Sequence, residues 1–292
     1  MEYYTQAPSA MRIVWREIYH DKAALAAFCV FVGIVALAFV VAAGIDEQRA
    51  ALVALEYRNL PPSTRFWLGT DPAGRAMTQQ LFLGARNSFL IAFAVTIASG
   101  VIGTLVGLAA GFIGGRVDSA VMRVLDFYLM LPDLMIIIAI VAMLGNYGVW
   151  QFALIMTAFS WAGRARLIRA KAMQQAGLDY VAASKTMGTP RVVVMFREVL
   201  PNLTSIIMLN TTLSLAANMG IETGLTFLGF GLPFGTPSLG TLISYAASPA
   251  TMLGRPWQWL PAAVLVFVMM LSIYIVGQAV SRAVDAKQRR VG

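Results

Sequence analysis

The chain has 292 residues, of which 59% are hydrophobic and only 12% charged. A soluble domain carries about 45–50% apolar and about 25% charged residues, so this sequence has too few charges to cover a water-facing surface. The 16 Phe, 9 Tyr and 6 Trp exclude disorder, the lone Cys29 excludes a disulfide scaffold, and 25 Gly without a fixed period exclude collagen. What remains is an all-α polytopic membrane protein, in which a net charge of +8 bears on orientation before it bears on nucleic acid.

Ala10–Lys22 places Met11, Val14, Trp15, Ile18 and Tyr19 near one helical face, which predicts an amphipathic leader lying along the inner membrane surface. Crossing a bilayer takes about 20 mostly apolar residues. Ala23–Gly44, uncharged for 22 residues, is the first span; its apolar core is too long for a cleaved signal and reads as a retained anchor. Ile45–Gln80 follows as a long outer segment. Asn87–Gly115, uncharged for 29 residues, is the second span and carries Gly103, Gly107, Gly111 and Gly115 at every fourth position. Glycines so spaced share one face and let another backbone come close. Leu134–Gly163 is uncharged for 30 residues, but Gly145-Asn146-Tyr147-Gly148 interrupts it as a turn. One helix is therefore predicted from about Ser119 to Leu144 and another from the turn to about Ile168. Val199–Ile221 and Pro256–Ser281 complete six spans. Thr223–Gly254 is also uncharged, but nine Gly and Pro in its 32 positions favour an outer loop that dips toward the membrane.

Lys and Arg positions support this arrangement. With both termini cytoplasmic, 16 basic residues lie inside, from Arg12 to Arg290, and six lie outside: Arg49, Arg58, Arg65, Arg75, Arg86 and Arg255. A seventh span at Thr223–Gly254 would reduce the bias to 13 against 9, a weaker fit to the positive-inside rule. The chain then divides into residues 1–80 (leader, first span, outer segment), 81–283 (the main transmembrane unit) and 284–292 (a basic tail).

Much chemistry is absent. His20 and Cys29 are too few for a zinc site or a Cys/His dyad. No Gly-x-x-x-x-Gly-Lys-Ser/Thr stretch cradles phosphate, and Gly229-x-Gly231 with Gly235 has the wrong spacing for a dinucleotide fingerprint. Asp126 and Asp133 share one predicted span but stand two turns apart, about 10 Å along the axis, too far for a proton-sharing protease pair within one helix. A charge in hydrocarbon costs at least a few kcal/mol and belongs against protein or a wet cavity. Asp133 beside Pro132, Glu222 at the outer end of the fifth span, and Asn210 and Asn218 below it are accordingly the pathway candidates; hydrogen bonding between helices explains the Asn residues equally well. Asp126, three residues after Arg123, is placed to pair with it.

The inner loop Arg164–Glu198 is the most structured connection. Asp179 is a suitable N-cap and Gly188 a suitable C′ residue, which predicts a two-turn helix over Tyr180–Met187. Thr189-Pro190 opens the next helix, Arg191–Arg197, with a break expected near Leu200-Pro201. Ala182, Ala183 and Ser184 make a small-residue bump suited to close docking, although an ordinary connecting loop has the same composition.

These residues also carry a resemblance. Ala182-Ala183-Ser184-x-x-x-Gly188 with Val199-Leu200-Pro201 resembles the cytosolic loop of ABC importer inner-membrane subunits. Leu68-Gly69-Thr70-Asp71-x-x-Gly74-Arg75 resembles the outer-loop motif of the C-type permeases of dipeptide, oligopeptide and nickel importers. Gly84-Ala85-Arg86-x-Ser88, Gly111-Phe112-x-Gly114-Gly115-x-x-Asp118, Leu131-Pro132 and Leu225-x-Phe227-Leu228-Gly229-x-Gly231 follow in that family's order. Two positions depart from it: Ala182 stands where Glu is usual and Ala76 where Asp is usual. The resemblance implies a type I importer fold and a non-catalytic permease that pairs with a B-type permease subunit. It also implies two cytosolic ATP-binding subunits, which hold the ATP and Mg, and an external solute-binding protein. Asp179, Tyr180, Ala182, Ala183, Ser184, Gly188, Leu200 and Pro201 would then form the ATPase-coupling loop. Peptides are the expected cargo, nickel or another small solute the alternative, and an intramembrane enzyme or a partnerless channel the distant ones. Nothing in the sequence marks a resident metal site.

Overall fold

The protein is described here by a computed structural model covering residues 10–288 apart from Asn146 and Phe234. In chain order its helices are α1 (Ala10–His20), α2 (Lys22–Ala43), α3 (Glu47–Ala51), α4 (Met77–Ile113), α5 (Gly115–Met130), α6 (Asp133–Met143) and α7 (Val149–Ser160). They continue with α8 (Ala162–Ala176), α9 (Asp179–Thr186), α10 (Arg191–Val194), α11 (Leu200–Phe227), α12 (Leu239–Ile243), α13 (Pro249–Gly254) and α14 (Leu260–Gln288). The described residues form no β-strand, only an isolated bridge between Thr70 and Ala76. Arg289 and Arg290, expected inside, lie outside the described residues.

Four helices are long and apolar enough to cross a membrane: α2, α4, the continuous stretch Arg191–Phe227, and α14. The pair α5 and α6 qualifies as a fifth span only when taken together, because it bends by 74°. The single helix expected from Ser119 to Leu144 is therefore two. The cause is local. Pro132 excludes its predecessor from helical geometry, and Leu131 is extended at φ −75°, ψ 136°. At 12 residues α7 is too short to span alone, but Trp161 keeps helical dihedrals and its carbonyl accepts from Ala165 N, so the chain runs on into α8. The second span starts earlier than its uncharged core suggests, at Met77, because Arg86 and the polar Gln79 and Gln80 sit at its outer end.

The break expected at Leu200-Pro201 does not occur. Pro201 lacks an N–H and its ring would strike the carbonyl four residues back. The helix widens to absorb it: residues 195–199 form a π-turn in which Leu200 N donates to Met195 O. The helix then continues unbroken to Phe227.

α4 is the centre of the molecule and packs against α2, α7, α8, α11 and α12. One apolar cluster joins α2, α4, α11, α12 and α14 around Met77, Ala92, Met219 and Met269. A second joins α4, α6 and α7 around Ile91, Ile137 and Phe152. A third, at the opposite end of α4, gathers Leu108, Phe112, Ile168, Val181, Val194 and Leu203. The leader does form a helix, α1, but not one that merely rests on a membrane. Its Ile18 is buried against Ala279, Val280 and Ala283 of α14, and Arg282 pairs with Asp21, the residue whose carboxylate caps α2.

Candidate functional site

The glycine face of α4 receives α8. A Cβ on Gly103 would stand 2.9 Å from Trp161 O, and one on Gly107 2.9 Å from Arg169 N while overlapping Ala165 O. One on Gly111 would overlap Arg169 O and lie 2.9 Å from the Ala172 Cβ. α4 and α8 thus meet backbone to backbone along Gly103, Gly107 and Gly111, whereas Gly100 admits the side chain of Arg164. Gly115 is not part of it. With Gly114 it lies at positive φ (69° and 57°) and turns the chain from α4 into α5, and a Cβ at either position would meet nothing within 4 Å. α5 is tied to the same helix by ion pairs: Asp118 with Arg169 and Asp126 with Arg166. Asp126 therefore pairs across helices and not with Arg123.

α8 leads through Gly177-Leu178 into α9. Asp179 lies inside α9 and does not cap it; the N-cap is Leu178 and no side chain caps the helix. Its carboxylate still sits in the first turn, where it complements the helix dipole. Gly188 does terminate α9 as expected, at φ +84°. Gly188 N donates to Lys185 O and Thr189 N to Ser184 O, both at 3.1 Å, which is a Schellman close. Pro190 is the N-cap of α10, one residue later than expected for the cap.

α9 is held on one side and bare on the other. Val181 is fully buried in the third cluster. Ser184 Oγ donates to Glu198 at 2.8 Å, Tyr180 OH donates to Gln175 Oε1 at 2.9 Å, and Lys185 Nζ stands 4.9 Å over the Phe112 ring at the foot of α4. Ala182 and Ala183 face outward, flanked by exposed Leu178, Met187, Val192 and Phe196. The sequence shows the small residues but not this apolar surround. Of the remaining loop residues, Leu200 is half-buried against the third cluster and Pro201 is exposed on the widened turn.

The opposite end of the bundle is organised by the Leu68–Arg75 motif. Asp71 is fully buried, and its Oδ1 accepts from Ala73 N and Arg75 N at 2.8 and 2.9 Å. Its Oδ2 accepts from Arg75 Nε at 2.7 Å and from Tyr245 OH at 3.2 Å. Burial works against the Arg75 cation, but Asp71 and Tyr245 hold it above its ordinary value. Burial, and then the Asp71 carboxylate, push the Tyr245 phenol up to about 12 against the pull of Arg75. The motif is thus a clamp between the outer segment and the loop after α11. Beside it opens a cavity of about 490 Å³ walled by Arg75, Tyr147, Thr236, Thr241 and Tyr245.

The pathway candidates are dispersed. Asn218 is buried and donates to Thr96 Oγ1 of α4 at 2.9 Å. Asn210 is half-buried, and its Oδ1 is enclosed without a partner. Glu222 has no exposed surface in this conformation; hydroxyls of Thr223, Thr226, Ser88 and Ser238 surround its carboxylate. Asp133 is exposed at the start of α6 and accepts only from its neighbour Leu134 N. None of the four lines the cavity beside the Asp71 clamp.

Residues 103–290 match the binding-protein-dependent transport system inner membrane component family. Over 281 residues, 96% of both chains, the sequence is 41% identical to the oligopeptide transport system permease protein OppC of Lactococcus lactis subsp. cremoris. The chain belongs to this family of transport permeases. The dipeptide transport system permease protein DppC of Bacillus subtilis is 29% identical over 94% of this chain and 85% of its own length. The oligopeptide transport system permease protein AmiD of Streptococcus pneumoniae is 35% identical over 80% and 74% respectively. The permease is an all-α, multi-pass protein of the plasma (inner) membrane. Its matched region begins on the glycine face of α4 and takes in α8, α9 and α11, so the helix joint and the capped inner helix both lie within it.

Proposed function

We propose that this permease is one transmembrane half of an ATP-driven, binding-protein-dependent importer of oligopeptides. The observation that carries the substrate class is identity of 41% along essentially the whole chain to a protein named as an oligopeptide transport permease. The geometry that supports coupling is α9: a short helix fixed by Val181, Ser184 and a Schellman close, offering Ala182 and Ala183 within an apolar rim. The partners are a B-type permease, two cytosolic ATP-binding subunits that carry ATP and Mg, and an external solute-binding protein. This chain contributes walls and transmission, not hydrolysis. Because Ala182 brings no charge, docking at this subunit rests on shape and apolar contact. Six spans with both termini inside complete the reading, with α5–α6 as one broken span and α7 running into α8 as another.

The test is reconstitution. The chain co-expressed with its neighbouring subunits should retain ATP-binding subunits through purification, and liposomes holding the complex and the binding protein should accumulate labelled oligopeptides when ATP is supplied. Uptake of nickel or another small solute with no peptide uptake would overturn the substrate, and purification without any ATP-binding subunit would overturn the importer.

A further inference from the structure

Arg164 lies in the first turn of α8 with 6% of its surface exposed, and no carboxylate among the described residues pairs with it. Its one hydrogen bond goes to backbone: Nη1 donates to Thr96 O, in the middle of α4, at 3.2 Å. The guanidinium reaches that carbonyl only because position 100 is glycine, since a Cβ there would overlap Nη1 and stand 3.3 Å from Cζ. A buried, unpaired cation is a poor device for stability, because an apolar side chain of similar volume packs at lower cost. Within a membrane protein such a residue is a mark of function.

Its surroundings indicate which function. Thr96 is buried, and its hydroxyl accepts from Asn218 Nδ2 of α11 at 2.9 Å and donates to Ala92 O at 2.6 Å. Arg164 from α8 and Asn218 from α11 therefore meet on one residue of α4. Below this point α8 follows the glycine face and passes through Gly177-Leu178 into α9.

We propose that Arg164 is a positioning residue for transport: it clasps α8 to α4 at Thr96, so that displacement of α9 moves α4 and α11 together. The proposal rests on α9 being the ATPase docking element. Without the clasp the complex assembles and hydrolyses ATP, but α8 slides on the glycine face and the stroke is lost.

The experiment uses the assembled importer in liposomes with its binding protein, reading peptide taken up per ATP hydrolysed, assembly by copurification, and crosslinking to the ATP-binding subunit from a cysteine at position 183. Arg164→Met should assemble, crosslink and hydrolyse ATP, while uptake per ATP falls about tenfold, within the range of ordinary coupling energies. Gly100→Ala, which forces only the mobile end of Arg164 to move, should reproduce that loss and add little to it in the double variant. Arg164→Lys, which keeps a cationic donor, should recover much of the ratio, whereas Arg164→Gln should not. Should Arg164→Met fail to insert, the contrast between Lys and Gln decides the matter with Gly100→Ala. Unchanged uptake per ATP in Gly100→Ala and Arg164→Gln overturns the clasp. Absence of the 183 crosslink in the unmutated complex overturns the docking of α9 instead, and is seen without reference to Arg164.

Discussion

Gly107→Leu tests the joint between α4 and α8, on which the rest of the architecture depends. A β-carbon at position 107 stands 2.9 Å from Arg169 N and 3.0 Å from Ile168 Cβ, besides overlapping Ala165 O. Comfortable separation is about 3.5–4.0 Å, so α8 must retreat by about 1 Å for the β-carbon alone. The obstructing atoms are mostly backbone and cannot swing aside. Overpacking of this kind costs about 1–3 kcal/mol for Gly107→Ala, and leucine, with three further carbons, exceeds it. The retreat also pulls Arg166 and Arg169 from Asp126 and Asp118 of α5. Heating detergent-solubilised protein and measuring the fraction that remains soluble and bound to its partners gives the readout. Gly107→Ala should lose stability and Gly107→Leu should fail to assemble. Gly163→Ala on α8, with nothing within 4 Å of the new carbon, should be neutral or slightly stabilising. If Gly107→Leu behaves like Gly163→Ala, α8 does not seat on this face.

Three further outcomes follow from the same geometry. The folded Tyr245 phenol, held near 12, keeps its proton where an unfolded tyrosine has lost it, so the clamp with Asp71 stabilises the fold below pH 10 and loses that contribution as pH rises from 10 toward about 12; thermal stability across that window should fall less steeply in Tyr245→Phe, and parallel curves would refute the assignment. Gly188→Val meets no atoms but places a β-branched residue at φ +84°, a strain of about 1–2 kcal/mol. It should leave insertion intact while reducing peptide uptake per ATP, and normal coupling would show that the Schellman close does not set the pose of α9. Single cysteines introduced at positions 12, 58 and 287 in a Cys29-free background should react with an impermeant thiol reagent in intact cells only at 58, whereas labelling at 287 would remove the six-span arrangement.

What the sequence exposes and what it hides divide along range of interaction. Membrane spans are local sums of hydropathy, and α2, α4, α11 and α14 are legible for that reason. Gly188 is legible because a left-handed terminus tolerates few other residues. The prolines mislead in opposite directions. Pro132 sits where no neighbouring turn compensates, and it breaks a stretch whose hydropathy reads as one span. Pro201 reads as a break, but its missing donor is absorbed by the π-turn at 195–199, an adjustment no propensity encodes. The ion pairs of Asp118 and Asp126 connect residues 51 and 40 positions apart, so local spacing points to the wrong partner, Arg123. Asp179 has the chemistry of a cap, but α9 starts one residue before the position that chemistry indicates. Arg164 passes as one positive charge among the inside set, since only its burial and its long-range contacts with Thr96 and Gly100 distinguish it.

If α9 is the element where this permease meets the machinery that hydrolyses ATP, its bare face lies within reach of an ATP-binding subunit. A single cysteine at position 183, on the outward face of α9, is to be crosslinked with a short bifunctional thiol reagent in the fully assembled complex, with and without nucleotide. A crosslink to an ATP-binding subunit is expected in at least one of these states, and none from a cysteine at position 58 at the opposite end of the molecule. No crosslink from position 183 in either state, in a complex that still imports peptide, would exclude α9 as the docking element.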